Sequence, residues 1–323
     1  MAETFAQLGR IEAIRQLFEG SGYEPFGEPL WFTADGGECV TTASKVLLEG
    51  IDFNLEYFPL KHLGYKSVIA ATGELYAVMS HPETLEVSLG VSAKLDYEQI
   101  KELWGGVLIA AVEHGYKRLG LDLAPSRNGL SICMNASGRT SGETCSKRPK
   151  PQSKDLICVS GSLGAAFLGQ QVLERKRNEL DKYKMLIASY LKPELDPQAV
   201  AQLEEGGFIP STGYFVSRGL SDAVMRLSRD SGLGAKVYAE KIPFEGNSFA
   251  LGKELDIDPI SAAMNGGEDC RLLYTIPISS FDKFRTNFQT FDIIGHLALS
   301  EAGKVLVTPD GLEHPLSSQG WPE

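Results

Sequence analysis

The sequence predicts a two-domain α/β (α+β) fold, and three observations carry that prediction. At 323 residues the chain is long enough for two domains of ordinary size, each with its own core. Helix-period and strand-period patterns alternate through both halves. Between the halves, residues 135–154 (NASGRTSGETCSKRPKPQSK) hold almost no apolar side chains and several chain breakers. That stretch predicts a mobile loop or linker and divides the chain into domains 1–150 and 151–323.

Element by element, residues 7–18 place Leu8, Ile11, Ile14, Leu17 and Phe18 at helical spacing. Residues 39–48 (CVTTASKVLL) read as a strand. Leu60 to Met79 reads as a helix with Leu63, Val68, Ala71, Leu75 and Val78 on its buried side, weakened at its centre by Gly73. A short strand at 87–92 leads to an amphipathic helix whose stripe is Ile100, Leu103, Trp104, Val107, Leu108, Ala111 and Val112, closed by His114-Gly115. Leu130 to Met134 is a strand. Past the polar stretch, LICVSG is a buried strand that runs into the helix GSLGAAFLGQQVLERKR. Helices near 197–205 and 220–231 and strands at 235–239 and 271–277 complete the pattern.

Composition narrows the function. Apolar residues at 43% and charged residues at 23% are ordinary for a globular chain and argue against disorder. A net charge of −11 opposes binding to nucleic acid or acidic membrane, both of which need clustered Lys and Arg. The start Met1-Ala2-Glu3-Thr4-Phe5 lacks the basic and apolar regions of a signal peptide, and no apolar run is long enough to span a bilayer. Five cysteines (Cys39, Cys133, Cys145, Cys158, Cys270), odd in number and without a CxxC pair, predict reduced thiols and a cytoplasmic location.

Several chemistries are absent from the sequence: there is no GxSxG elbow, no HExxH and no P-loop. The five histidines (His62, His81, His114, His296, His314) are scattered, which argues against a zinc site. Two segments stand out. Val159 to Gly164 (VSGSLG) either presents backbone N–H groups to a phosphate or is a tight turn capped by Ser160. Gly266-Gly267-Glu268-Asp269, ahead of a strand, is either a close backbone approach with carboxylates for a ligand or a solvated acidic turn.

Taken together these segments resemble the thiamine-monophosphate kinase family. The resemblance rests on Leu47 to Phe53 (LLEGIDF), Leu60 to Ser67 (LKHLGYKS), Asp155 to Ala166 (DLICVSGSLGAA), Asn265 to Pro277 (NGGEDCRLLYTIP), Ile293 to His296 (IIGH) and Gln319-Gly320-Trp321, in the family's order over nearly the whole chain. It implies the two-domain fold of the superfamily that includes aminoimidazole ribonucleotide synthetase. In that fold an N-terminal mixed sheet with helices pairs across a homodimer, and a C-terminal α/β domain follows. It also implies transfer of the γ-phosphoryl of ATP to thiamine monophosphate with the help of Mg²⁺.

Carried over position by position, the family's magnesium-binding aspartates are mostly missing. Gly-Asp-Asp falls on Gly27-Glu28-Pro29, and the strand aspartate falls on Lys45. Asn-Leu-Ser-Asp becomes Ala71-Thr72-Gly73-Glu74, and Gly-Gly-Asp-Thr becomes Gly120-Leu121-Asp122-Leu123 with its aspartate kept. Asp-x-Ser-Asp-Gly reads Phe215-Val216-Ser217-Arg218-Gly219. On the substrate side, the family's His is Asp52, and Trp321 is either an aromatic near the substrate's ring or an anchor for the tail. Arg148, Gly161 and Gly164 on the phosphate side match the family, as do Glu268 and Asp269 on the substrate side.

A unit positive charge about 4 Å from a cation opposes it by roughly 4 kcal/mol at an intermediate dielectric, so Lys45 and Arg218 work against Mg²⁺. Three expectations follow. Lys45 and Arg218 pair with Glu28, Glu74 and Asp122 in place of metal, or they hold a phosphate or other anion. The chain binds neither Mg²⁺ nor ATP as its relatives do, and is a weak or inactive kinase-like homodimer; the alternatives are an active kinase with an altered metal site or a partner of an intact kinase chain. No nucleic acid and no membrane is expected as a partner.

Overall fold

The structure, a computed structural model, describes residues 5–23, 30–33, 37–176, 178 and 180–318. The first half runs α1 (Phe5–Phe18), β1 (Leu30–Thr33), β2 (Cys39–Leu48), α2 (Leu60–Ala77), β3 (His81–Ser92), α3 (Tyr97–Glu113), β4 (Arg118–Ser126), β5 (Ser131–Thr140) and α4 (Gly142–Lys147). Its strands form one sheet in the order β1-β2-β5-β3-β4, in which only the β3–β4 pair is parallel. The second half runs β6 (Leu156–Ser160), α5 (Ala165–Arg175), α6 (Lys184–Leu191), α7 (Ala199–Glu205), β7 (Thr212–Val216), α8 (Leu220–Ser231), β8 (Gly234–Tyr238), α9 (Ser248–Leu255) and α10 (Pro259–Asn265). It continues through β9 (Arg271–Ile276), α11 (Phe281–Asn287), β10 (Phe291–Ala298), β11 (Lys304–Val307) and β12 (Glu313–Pro315). Its strands make a second sheet, β12-β11-β8-β10-β6-β9-β7.

Local chemistry explains the clearest elements. In β2 burial alternates strictly, so Thr41, Ala43, Lys45 and Leu47 face inward while Val46 and Leu48 face out. Helix α3 starts at a reciprocal capping box, Asp96 with Gln99, and stops at His114. Helix α1 is broken at Gly9, whose φ of 72° and ψ of 163° lie outside the helical region.

Two expectations about the middle of the chain give way. The polar stretch is ordered: residues 135–140 are the second half of β5, paired with both β2 and β3, and Ser141 caps α4 by accepting from the Thr144 N–H. A strand laddered on both sides is held by its backbone, which polar side chains do not report. Nor are the cores separate. Helix α2 stands between the two sheets, buried almost all round. The largest apolar cluster joins Ala43, Leu75, Val87 and Met134 to Phe215, Tyr274 and Phe284. A second cluster lies between the second sheet and α8.

The five-thiol expectation is also corrected. Cys39, at the start of β2, and Cys145, in α4, are joined as a disulfide with their Cα atoms 6.6 Å apart, while Cys133, Cys158 and Cys270 are free. Those two cysteines are 106 residues apart in sequence and meet only because β5 returns the chain to the start of β2. Among the described residues no helix is long and apolar enough to cross a membrane.

Candidate functional site

The inward face of β2 delivers Lys45 to the flank of α2. Its ammonium lies 2.6 Å from Glu74 Oε1, and both side chains are buried, at 8% and 0% exposure. The other Glu74 oxygen is 3.8 Å from Arg226 Nη1 of α8. Arg226 donates to the Phe215 carbonyl at 2.9 Å and sits 3.0 Å from Asp222, one helical turn earlier. Arg10 of α1 reaches the same carboxylate at 3.0 Å. Burial works to raise the Asp222 pKa, but the Arg226 and Arg10 guanidinium groups outweigh it and hold that carboxyl below the usual range. The result is a run of alternating charges, Lys45–Glu74–Arg226–Asp222–Arg10, through the junction of the two halves.

Phe215 fills the rest of this junction. Its ring is fully buried and lies against Gly73 so closely that a Cβ at residue 73 would overlap ring atoms. Gly73, which weakens α2 as a helix, is therefore the residue that lets α2 and β7 approach.

The positions carried over from the family divide sharply. Lys45, Glu74 and Phe215 come together. Asp122 does not: through the pairings Val46–Cys133, Cys133–Ser88 and Ser88–Asp122 it lies on the outer face of the first sheet, whereas Lys45 is on the inner face. Arg218 is exposed and forms no ion pair among the described residues, although its charge helps lower the Asp222 pKa and opposes the rise at Asp52. Glu28 and Trp321 lie outside the described residues. Of the expected pairing of Lys45 and Arg218 with Glu28, Glu74 and Asp122, the described residues show Lys45–Glu74, and Arg226 and Asp222 extend the network. Sequence reasoning missed both, although the i, i+4 spacing of Asp222 and Arg226 on an otherwise apolar face of α8 was a usable signal.

A second polar group lies further along α2, about two turns before Glu74. Lys66, 1% exposed, places its ammonium 2.7 Å from Glu268 and 3.8 Å from the centre of the Tyr190 ring, with Phe58 at 5.3 Å. Half-buried Asp52 accepts from the Leu48 N–H at 2.7 Å, and its backbone carbonyl accepts from the Tyr190 hydroxyl at 3.3 Å. Burial raises the Asp52 pKa, helped by the neighbouring Glu268 charge and opposed by the Leu48 N–H, Arg218 and Lys66.

The VSGSLG turn is closed by the protein itself. Asp269 accepts from the Gly164 and Ala166 N–H groups at 2.7 and 3.1 Å, occupying the start of α5 that a phosphate would need. Burial pushes this carboxyl up to about 7, against the pull of those two N–H groups and Arg271. Ser160 does not cap the helix; its hydroxyl accepts from the Leu272 N–H. Gly161 lies against the Arg271 guanidinium, and Arg271 donates to the Ser162 carbonyl at 3.2 Å. Arg148, the other phosphate-side residue, donates to the Val78 carbonyl at 2.8 Å. It lines a cavity of about 190 Å³ with Tyr214, Asp230 and the Cys39–Cys145 bridge.

These residues do not fit a magnesium ion. Mg²⁺ requires close to octahedral oxygen ligation, and the two carboxylates that the described residues bring to the junction, Glu74 and Asp222, are already paired with Lys45, Arg226 and Arg10. Among the described residues no three His, Cys, Asp or Glu side chains are placed to hold a metal ion.

No family model matches the chain. Among curated proteins, the thiamine-monophosphate kinase of Aquifex aeolicus is 25% identical over 280 residues, which are 86% of this chain and 88% of that one. The thiamine-monophosphate kinase of Pyrococcus horikoshii is 25% identical over 310 residues, 96% and 94% of the two chains. Among solved structures, AaThiL complexed with AMPPCP and TMP superposes with a TM-score of 0.84 at 21% identity, covering 99% of both chains. The hydrogenase maturation protein HypE of E. coli superposes at 0.66 with 14% identity, covering 88% and 87%. The fold is the one these structures share.

Proposed function

We propose, from the premise that the chain belongs to the thiamine-monophosphate kinase family, that it is a kinase-like protein with weak or lost magnesium-dependent phosphoryl transfer. The observation that carries this reading is the buried Lys45–Glu74 pair, braced by Arg226, at positions where the family resemblance places metal-binding aspartates. Phosphoryl transfer depends on metal ions to position the phosphates and neutralise their charge. An ammonium 2.6 Å from the buried Glu74 carboxylate does the opposite of recruiting Mg²⁺.

The polar group around Asp52, Lys66 and Glu268 is the part of the site best suited to a retained small-molecule role. It combines a buried cation, two carboxylates and two aromatic rings, and Asp52 is half-buried rather than sealed. The decisive experiment incubates the purified chain with thiamine monophosphate, ATP and Mg²⁺, beside calorimetric titration of Mg–ATP. The expected result is turnover at least a hundredfold below that of the Aquifex aeolicus relative measured in parallel, with no Mg-dependent gain in ATP affinity. Turnover at the relative's rate overturns the proposal.

A further inference from the structure

A second cavity, sharing no residue with the ion-pair network or the Asp52 group, opens on the second sheet beside the end of β8. Its volume is about 340 Å³, the size of a small-molecule site. Its polar lining is Lys154, Lys241, Tyr238 and His296; Leu156 and Ile293 supply an apolar floor and Ile278 stands at the exposed rim. The chain carries 42 acidic residues against 31 Lys and Arg, yet among the described residues no carboxylate lines this cavity.

Two backbone irregularities converge on it. The β10–β6 ladder shifts register between Ile293 and Gly295, which re-aims β10 at the cavity wall. Lys154 has a φ of 80°, rare for a side-chain-bearing residue, and is held there by its N–H donating to the Leu297 carbonyl at 2.7 Å. Tyr238 stacks on His296 with ring centres 5.8 Å apart, and the Lys241 ammonium lies 5.2 Å from the Tyr238 ring centre. Burial and the nearby Lys236 and Lys241 charges hold His296 below its ordinary pKa, so the positive character comes from the lysines. Lys236 itself is paired with Glu313.

We propose that this cavity binds a small aromatic phosphate monoester, its phosphate between Lys154 and Lys241 and its ring on Tyr238 and the aliphatic floor. Two ammonium groups without a facing carboxylate select an anion, and a flat ring matches the stacked Tyr238–His296 pair.

The test is calorimetric titration of the full chain with phenyl phosphate, with inorganic phosphate and phenol as parallel arms. The expected result is one phenyl phosphate per chain, bound at least tenfold more tightly than either fragment. Lys154→Gln/Lys241→Gln weakens it at least tenfold without changing the melting temperature, since both lysines are exposed. Ile278→Trp, from the exposed rim, blocks the cavity and abolishes binding with both lysines intact. The assignment is overturned by the absence of saturable binding, or by binding that neither variant alters. Inorganic phosphate binding as tightly as phenyl phosphate overturns the aromatic part.

Discussion

Lys45 and Glu74 together illustrate what a buried charge demands. Breaking such a pair leaves one charge without its partner and costs about 3–5 kcal/mol, whereas replacing both partners with apolar groups of similar size is often neutral. Lys45→Met is therefore expected to destabilise the chain by about 3 kcal/mol, and Lys45→Met/Glu74→Leu to recover most of that loss. Urea denaturation of the two singles and the double checks it; additive losses would show the two side chains do not act as a unit. His114 gives a pH signature. Its Nδ1 is 3.0 Å from the Tyr76 hydroxyl and its Nε2 has no partner among the described residues. Burial lowers its pKa from 6.5, partly opposed by Glu113 and Asp196. The unfolded chain therefore takes up this proton first, so the stability His114 contributes is complete above about pH 6.5 and is lost as pH falls below it. In His114→Gln the fall in unfolding midpoint between pH 7 and 5.5 is expected to be shallower than in the parent; equal slopes would rule His114 out as its source.

At the scale of elements, α2 and its neighbours show where sequence patterns succeed. The existence of β2 and α3 and the His114 stop are local matters written in consecutive residues. Which side faces inward is not: β2 turns Lys45 in and Val46 and Leu48 out, and of the expected α3 stripe Leu103, Val107 and Ala111 are buried while Leu108 and Val112 are exposed. Helix α2 is less legible because its environment is set by both sheets: an expected one-sided helix is buried almost all round. Strand β4 carries side chains that are mostly exposed, so no inward-outward contrast marks it. The contact between Gly73 and Phe215 ties α2 to β7. Gly73→Ala should lower the melting temperature, because overpacking by one methyl costs about 1–3 kcal/mol and exceeds the gain of about 1 kcal/mol in helix propensity. Combining it with Phe215→Leu should restore part of the loss, which thermal unfolding of the three variants measures. No recovery in the double would mean the clash is not with that ring.

For the whole molecule, the outer face of the first sheet is the natural place for a second chain. Val46 and Leu48 are exposed there at 52% and 43%, and β4 leaves an open strand edge. We propose a homodimer through this sheet, in keeping with the family resemblance. Light scattering should give twice the 35.1 kDa chain mass for the parent and close to 35.1 kDa for Val46→Lys/Leu48→Lys. A monomeric parent at micromolar concentration would exclude the arrangement.

The sequence by itself determined the fold class, which rests on local period, and a resemblance to the thiamine-monophosphate kinase family, which rests on residue identity and singles out Lys45, Phe215 and Arg218. Tertiary structure alone decided which of them meet. Lys45 reaches Glu74 since both face the same buried layer, while Asp122 is turned away by the pleat of the same sheet. Asp269 closes the turn before α5 from 105 residues away, and Arg226 and Asp222 join the network from α8. Such contacts depend on strand register and helix packing between distant segments, which no single stretch of sequence encodes.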